Sequence, residues 1–288
     1  MWRSLLFVPA LNSRLVEGAA RRGADAIVLD LEAAVPGDRK DEARATLDTV
    51  IPDLKAAGPD IAVRVNLPDE GGIDDIVKAV DAGVDLIVLP QATSTSVKRA
   101  AEVAGATPLI PLVETPRGVI DALTIAEAAP TVVGLGFGVE DYATEMGAPP
   151  TPELLIPAAF QVIQAARAAR IEPLVFPDTI ADFADLRRFE AAALKAKVLG
   201  ASGSFAIHPK QVDVLNGVFL PSVEEVGEAQ DIIAVAEKAH NNGDSIASLS
   251  GHMIDAPIVD RAHAVLARWN RFAGDSTPSN EDRDEGIG

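Results

Sequence analysis

The chain of 288 residues contains no cysteine. Disulfide bonds, zinc sites built on thiolates and a cysteine nucleophile are therefore excluded together. Aromatic residues make up only 4% of the chain, so the stacking platforms that bind single-stranded nucleic acid are not expected. A composition without cysteine suits a reducing compartment, and we expect a cytoplasmic protein.

Positive charge is also scarce, with 25 Lys and Arg against 43 Asp and Glu, a formal net charge of −18. Such a surface repels phosphate backbones and anionic lipids, so we expect neither nucleic acid nor a membrane as a partner. The apolar runs are far shorter than the roughly 20 residues of a membrane span. The first nine residues contain Arg3 but lack the basic and long apolar regions of a signal peptide.

Hydrophobic residues make up 48% of the chain and are concentrated in short runs. Runs that are apolar nearly throughout are typical of strands buried on both faces of a parallel sheet. These runs cover residues 5–8, 26–31, 61–65, 86–89, 109–113, 132–137, 174–176 and 204–207. Helical patterns between them cover residues 12–22, 39–55, 73–82, 94–104, 118–128, 153–169 and 181–199.

This alternation predicts an α/β protein. A doubly wound open sheet would give the same pattern, but eight units favour a (β/α)₈ TIM barrel. Beyond Pro209 the pattern predicts helices over 224–240 and 256–272, with a mobile segment over 245–255. We therefore expect a barrel over residues 1–220, a C-terminal helical lid extension over 221–272 and a disordered tail over 273–288.

Polar side chains stand at the ends of several predicted strands, where TIM barrels carry their reactive groups. These residues are Asp30, Glu32, Arg64, Glu114, Asp141, Asp178 and His208. Carboxylates that meet at one mouth repel each other unless a cation neutralises them, and an oxygen donor set suits Mg²⁺. An arginine among them offers a fork for a substrate carboxylate. The pattern thus predicts a magnesium site that binds an organic acid, although single carboxylates can instead cap helices or pair with Lys or Arg.

Other motifs are less informative. The glycines at 136 and 138 do not extend to a nucleotide-binding loop, because Asp141 occupies the position of the third glycine. His208 is equally consistent with a satisfied histidine at a strand end, and His252 with an exposed loop. No spacing of Ser, His and Asp indicates a hydrolase triad.

Seven stretches in the same order also resemble the citrate lyase β-subunit-like family of the HpcH/HpaI aldolase superfamily. Within that superfamily the resemblance lies near the malyl-CoA and citramalyl-CoA lyases. The stretches cover residues 3–9, 28–36, 63–66, 114–118, 136–141, 206–211 and 253–257, and so span nearly the whole chain.

The resemblance implies a (β/α)₈ barrel that assembles as a homotrimer or hexamer, with the C-terminal lid exchanged between subunits. It implies Mg²⁺ held by Glu114 and Asp141, a substrate carboxylate bound by Arg64, and Asp255 of the lid as the proton donor and acceptor. Asp30 and Glu32 would bind substrate and orient metal-bound water.

One position departs from the family pattern, because Ala33 stands where the family usually has an aspartate. The missing carboxylate removes a negative charge near the metal. The missing carboxylate affects the expected reaction more than the expected metal binding, because the two implied metal ligands, Glu114 and Asp141, are both present. Such losses outside the ligand shell typically cost 10–100-fold in metal affinity or activity.

The activity that the resemblance implies is a Mg²⁺-dependent carbon–carbon lyase. It would cleave or form a 3-hydroxyacyl-CoA thioester similar to malyl-CoA, citramalyl-CoA or citryl-CoA. The products of cleavage would be an acyl-CoA and a 2-oxo acid. The alternatives are a malyl-CoA or citramalyl-CoA thioesterase, and a class II aldolase that acts without CoA. A protein that binds these compounds without catalysis, or a subunit of a citrate lyase complex, is the remaining alternative.

Overall fold

The computed structural model describes residues 1–241, 246–249 and 251–273. The chain divides into two compact units, Met1–Phe219 and Leu220–Gly288. The predicted tail covers 273–288; Ala273 is instead helical, and residues 274–288 lie outside the described residues. In the described part of the chain, no helix has both the length and the apolar character that a membrane span requires.

The first unit alternates strands and helices. Its strands are β1 (Ser4–Pro9), β2 (Ala26–Asp30), β3 (Asp60–Arg64), β4 (Leu86–Leu89), β5 (Leu109–Val113), β6 (Gly134–Phe137), β7 (Glu172–Leu174) and β8 (Ser204–Ala206). Its helices are α1 (Ser13–Ala19), α2 (Lys40–Lys55), α3 (Gly72–Asp81), α4 (Ser94–Ala104), α5 (Pro116–Ile120), α6 (Ala122–Ala126), α7 (Val139–Glu145), α8 (Pro152–Ala168), α9 (Leu186–Leu199) and α10 (Pro209–Phe219).

The eight strands form one parallel sheet in the order β7-β6-β5-β4-β3-β2-β1-β8. A parallel bridge between Leu174 and Gly203 joins the two ends of this order, so the sheet curls into a barrel. The first unit is therefore a (β/α)₈ TIM barrel, and the predicted fold class is confirmed. The alternative of an open doubly wound sheet is wrong, because an open sheet would leave its outer strands unjoined.

Both faces of the strands are buried, which explains why the runs are apolar without alternation. In β2, Ala26 and Val28 belong to the cluster inside the barrel. Their neighbours Ile27 and Leu29 pack outward in the larger cluster with Leu47 of α2. The barrel interior is thus a packed core, as in other barrels of eight strands.

The second unit contains α11 (Val223–Asn241), β9 (Ala247–Leu249), β10 (His252–Ile254) and α12 (Ala256–Ala273). Strands β9 and β10 pair in an antiparallel hairpin. Gly251 lies between them with φ of 82°, a left-handed conformation that glycine adopts without strain. The segment predicted to be mobile, 245–255, contains this hairpin, and residues 245 and 250 lie outside the description. Its mobility stays a prediction.

Two helix predictions also need correction, and two helices were not predicted. Helix α9 begins at Leu186 rather than at residue 181, because Asp185 and not Asp182 accepts the N–H of Arg188 and caps it. The single helix predicted over 118–128 is divided into α5 and α6. Helices α7 and α10 were not predicted, although α10 begins at Pro209, a residue suited to the first helical position.

Close packing inside the barrel leads to a first prediction. A Cβ added at Gly136 would lie 2.4 Å from Cδ2 of Leu112 and 2.9 Å from Cε2 of Phe205. Gly136→Ala should therefore lower the free energy of unfolding by about 1–3 kcal/mol, the usual cost of overpacking a core. Urea denaturation would measure the change.

The matched control is Gly217→Ala in α10, where an added Cβ would meet no atom within 4 Å. Because alanine favours a helix over glycine by up to about 1 kcal/mol, this variant should be neutral or more stable. Equal loss of stability in both variants would contradict the packing explanation.

Candidate active site

A small cavity lies at the carboxyl ends of the barrel strands. Its volume is about 130 Å³, and Arg64, Glu114 and Asp141 all line it. These side chains come from the end of β3, the residue after β5 and the first turn of α7. Parallel strands place their carboxyl ends at one mouth, so residues far apart in sequence meet there.

Arg64 is fixed by a bidentate ion pair with Asp30. Its Nε donates to Oδ1 at 2.8 Å and its Nη2 donates to Oδ2 at 2.7 Å. The pairing of β2 with β3 places these two residues opposite each other. The guanidinium also lies over the ring of Phe7, with Cζ 4.5 Å from the ring centre. The substrate-binding role predicted for Arg64 therefore falls on a side chain that is already oriented.

Asp30 also organises the chain that follows β2. Its carboxylate oxygens accept the backbone N–H groups of Glu32 at 3.0 Å and Ala34 at 3.1 Å. This turn brings Oε2 of Glu32 to 3.3 Å from Nη1 of Arg64. Burial raises the pKa of Glu32, Arg64 opposes that rise, and the charge of Asp30 adds to it. Ala33, where the family usually has an aspartate, is exposed.

Glu114 is a buried carboxylate, with 4% of its surface exposed. The backbone N–H of Gln91 donates to its Oε2 at 2.6 Å. On its other side, a Cβ at position 138 would lie 2.5 Å from its Oε1, so Gly138 is required there. Burial raises the pKa of Glu114 to about 7; the Gln91 N–H and Arg64 oppose the rise, and the charge of Asp141 adds to it.

Gln91 is a site residue that the sequence analysis missed. Its φ is 42°, in the left-handed region that costs a residue with a side chain on the order of 1 kcal/mol. This conformation aims its N–H at Glu114. No sequence signal marks the position, because glutamine does not favour this conformation and only the fold brings the two residues together.

Glu114 and Asp141 are suited to a magnesium ion. Mg²⁺ prefers oxygen ligands and usually binds one or two protein carboxylates, with water and substrate oxygens completing its shell. Within residues 1–241, 246–249 and 251–273, no three His, Cys, Asp or Glu side chains are grouped as a metal site. A cation held by Glu114 and Asp141 would offset the burial of the Glu114 charge, the main cause of its raised pKa, and the smaller repulsion from Asp141.

A larger groove of about 590 Å³ shares Phe7, Arg64 and Ile180 with the small cavity. Arg14 of α1 and Arg22, at the end of the following 3₁₀ turn, also line this groove. The sequence analysis did not single out these two arginines, since nothing in their spacing shows that they face the mouth. They give the groove two cations in addition to Arg64.

Two other strand-end candidates have structural partners. Asp178 is buried and receives two hydrogen bonds from Arg188, from Nε at 2.8 Å and from Nη2 at 2.5 Å. His208 stacks on Phe183 with ring centres 5.1 Å apart, and its Nδ1 accepts the N–H of Lys210. The interpretation of His208 as a satisfied strand-end histidine fits these contacts.

Asp255 lies in the second unit, between β10 and α12. Its backbone carbonyl accepts the N–H groups of Ile258 at 3.0 Å and Val259 at 3.1 Å, so it is the residue that caps the start of α12. The residue is half-buried. Its role as a proton donor stays a prediction.

Comparison with known proteins places the chain in a family. The model of the HpcH/HpaI aldolase/citrate lyase family matches residues 3–209. The chain belongs to this family. The citrate lyase subunit beta of Haemophilus influenzae is 35% identical over 282 residues, covering 92% of this chain and 96% of that protein. The resemblance drawn from the seven stretches is confirmed.

Two further relatives of this HpcH/HpaI member are informative. A (3S)-malyl-CoA thioesterase of Cereibacter sphaeroides is 34% identical over 275 residues, covering 93% of this chain and 92% of that protein. The crystal structure of CitE from Mycobacterium tuberculosis in complex with magnesium, acetoacetate and coenzyme A superposes with a TM-score of 0.74. It is 26% identical and covers 93% of this chain and 97% of that chain.

The raised pKa of Glu114 predicts how the metal-free protein responds to pH. Below its ordinary pKa of 4.5 this carboxyl is protonated in both the folded and the unfolded state. Between pH 4.5 and about 7 the unfolded state ionises this carboxyl while the folded state keeps it protonated, so the folded state loses stability until both forms are ionised above about 7. In EDTA, the advantage of Glu114→Gln over wild type should therefore grow between pH 4.5 and 8, by on the order of 3 kcal/mol.

Denaturation by urea at both pH values would measure this difference. Glu145→Gln, which changes an exposed carboxylate on α7, serves as the control and should show no such growth. An advantage of Glu114→Gln that is the same at both pH values would contradict the assignment.

Proposed function

We propose that this protein is a Mg²⁺-dependent carbon–carbon lyase that acts on 3-hydroxyacyl-CoA thioesters and releases an acyl-CoA and a 2-oxo acid. The observation that carries this proposal is the meeting of Arg64, Glu114 and Asp141 in one small cavity beside a larger cationic groove. The relatives named citrate lyase subunit beta and (3S)-malyl-CoA thioesterase support this class of substrate.

Each part of the site has a role in the proposal. Glu114 and Asp141 hold the ion, and Arg64 binds the carboxylate of the 2-oxo acid through its free N–H donors. When bound, Mg²⁺ supplies a Lewis acid that stabilises negative charge on the oxygen of the 2-oxo acid. The larger groove accommodates the thioester arm, with Arg14 and Arg22 available to phosphate groups.

The reaction balances without a further reactant. In cleavage, the substrate hydroxyl loses its proton and becomes the carbonyl of the 2-oxo acid. The bond between the hydroxyl-bearing carbon and the carbon next to the thioester breaks, and its electron pair forms the enolate of the acyl-CoA. We propose that the carboxylate of Asp255, from the lid of a neighbouring subunit, accepts the hydroxyl proton and returns it to the enolate carbon. The crowding of carboxylates around Arg64 keeps the guanidinium charged and in place throughout.

A thioesterase is the second candidate, favoured by the 34% identity to the (3S)-malyl-CoA thioesterase. The same residues would then position the thioester for attack by water. Product analysis separates the two activities. Malyl-CoA, citramalyl-CoA and citryl-CoA are each incubated with the protein and Mg²⁺, and at least one of them should give acetyl-CoA and a 2-oxo acid. Free CoA with an intact hydroxy diacid would instead identify a thioesterase.

Removal of either proposed metal ligand tests the site. Glu114→Ala and Asp141→Ala should each lower Mg²⁺-dependent turnover by more than about 100-fold, because losses outside the ligand shell already reach that size. Glu145→Ala, on the same helix as Asp141 but outside the cavity, should keep its activity. Full turnover of either ligand variant in EDTA would refute the metal assignment.

The proposed proton donor is tested separately. Asp255→Asn should lower kcat by about 10²–10⁴-fold, the range of a general acid, while pyruvate still binds in the presence of Mg²⁺. Steady-state kinetics and calorimetry would measure the two quantities. Asp260→Asn, which changes an acid of α12 five residues along the chain, is the matched control. Normal turnover of Asp255→Asn would place the proton donor elsewhere.

A further inference from the structure

The small cavity is poor in positive charge. Within residues 1–219, Arg64 is the one cationic side chain that lines it, against the carboxylates of Glu114, Glu140 and Asp141. Most of the other lining side chains are apolar, namely Phe7, Leu112, Phe137, Phe176, Ile180 and Phe205. Ser204 adds a hydroxyl, and this group donates to the backbone carbonyl of Phe205 at 3.4 Å.

Arg64 has donors for one substrate carboxylate and not for two. A guanidinium carries five N–H donors. Asp30 takes two of them, and Glu32 faces Nη1 at 3.3 Å. Of the five N–H donors, two are not used by Asp30 or Glu32, and these two match the two oxygens of a single carboxylate.

A bound 2-oxo acid presents three groups around its carbonyl carbon. The proposed function places the carboxylate on Arg64 and the carbonyl oxygen toward Glu114 and Asp141. The third group, the substituent of the carbonyl carbon, then faces what is left of the cavity, which is apolar or carries the carboxylate of Glu140. A second carboxylate there would lose its hydration without gaining a cation or a hydrogen bond, which is strongly unfavourable.

We infer that the 2-oxo acid of this site is a monocarboxylate with a hydrogen or a short apolar substituent, the class of glyoxylate and pyruvate, and not a dicarboxylate such as oxaloacetate. This inference rests on the proposed function and narrows it. It also argues against a function in citrate cleavage, although a relative is named citrate lyase subunit beta. The corresponding thioesters are malyl-CoA and citramalyl-CoA rather than citryl-CoA.

Glu140 makes the inference testable. It is exposed, lines the cavity and accepts a hydrogen bond from the hydroxyl of Thr179. Glu140→Lys would replace a repelling charge on the cavity wall with a partner for a second carboxylate. Glu145→Lys makes the same change of charge on the same helix, but away from the cavity, and is the matched control.

The experiment is calorimetric binding of glyoxylate, pyruvate and freshly dissolved oxaloacetate to the wild-type protein with Mg²⁺. Pyruvate that forms from oxaloacetate is quantified in the same samples. We expect glyoxylate and pyruvate to bind at least about 10-fold more tightly than oxaloacetate, which corresponds to about 1.4 kcal/mol. Oxaloacetate binding as tight as that of pyruvate would overturn the inference and leave the proposed function standing. Failure of all three acids to bind would overturn both.

The variants then test the cavity wall. Glu140→Lys should shift the ratio of oxaloacetate to pyruvate affinity toward oxaloacetate by at least about 10-fold, and Glu145→Lys should leave the ratio unchanged. An equal shift in both variants would show that the preference comes from the general charge of the protein and would overturn the assignment to the wall. Thermal denaturation of each variant verifies that it is folded.

Discussion

The ion pair between Asp30 and Arg64 organises the mouth of the barrel. It joins two neighbouring strands at their carboxyl ends, and Asp30 is almost fully buried, with 3% of its surface exposed. A buried carboxylate of this kind is strongly destabilising without its partner. The same two oxygens also receive the N–H groups of Glu32 and Ala34, so one carboxylate fixes both the guanidinium and the chain after β2.

Glu114, which also lines the cavity, carries a charge that its surroundings only partly compensate. Gln91 and Arg64 favour the ionised form of Glu114, but burial and Asp141 outweigh them, so its pKa stays raised. Two backbone features maintain this arrangement, the left-handed conformation of Gln91 and the missing side chain of Gly138. Backbone strain and a carboxylate with a strongly shifted pKa are both typical of functional sites.

The sequence predicted those parts of the site that follow from the repeated alternation of strands and helices. The apolar runs locate the strands, and the rule that reactive groups follow barrel strands then selects Asp30, Arg64 and Glu114. It could not locate Gln91, Arg14 or Arg22, because their importance depends on loop conformation and on which face of a turn meets the mouth. The predicted start of α9 was wrong for a similar reason. Asp182 and Asp185 are both residues that favour a helix N-cap, and only the local hydrogen bonds decide between them.

The core of the barrel and the floor of the cavity are made of the same side chains. Leu112 and Phe205 belong to the cluster that fills the barrel interior, and they also line the cavity beside Arg64 and Glu114. The protein therefore has no inert layer between the residues that hold the barrel together and those that would meet a ligand. A change that deepens the cavity must remove core volume, so in this fold an evolutionary change of ligand size is coupled to a loss of thermodynamic stability.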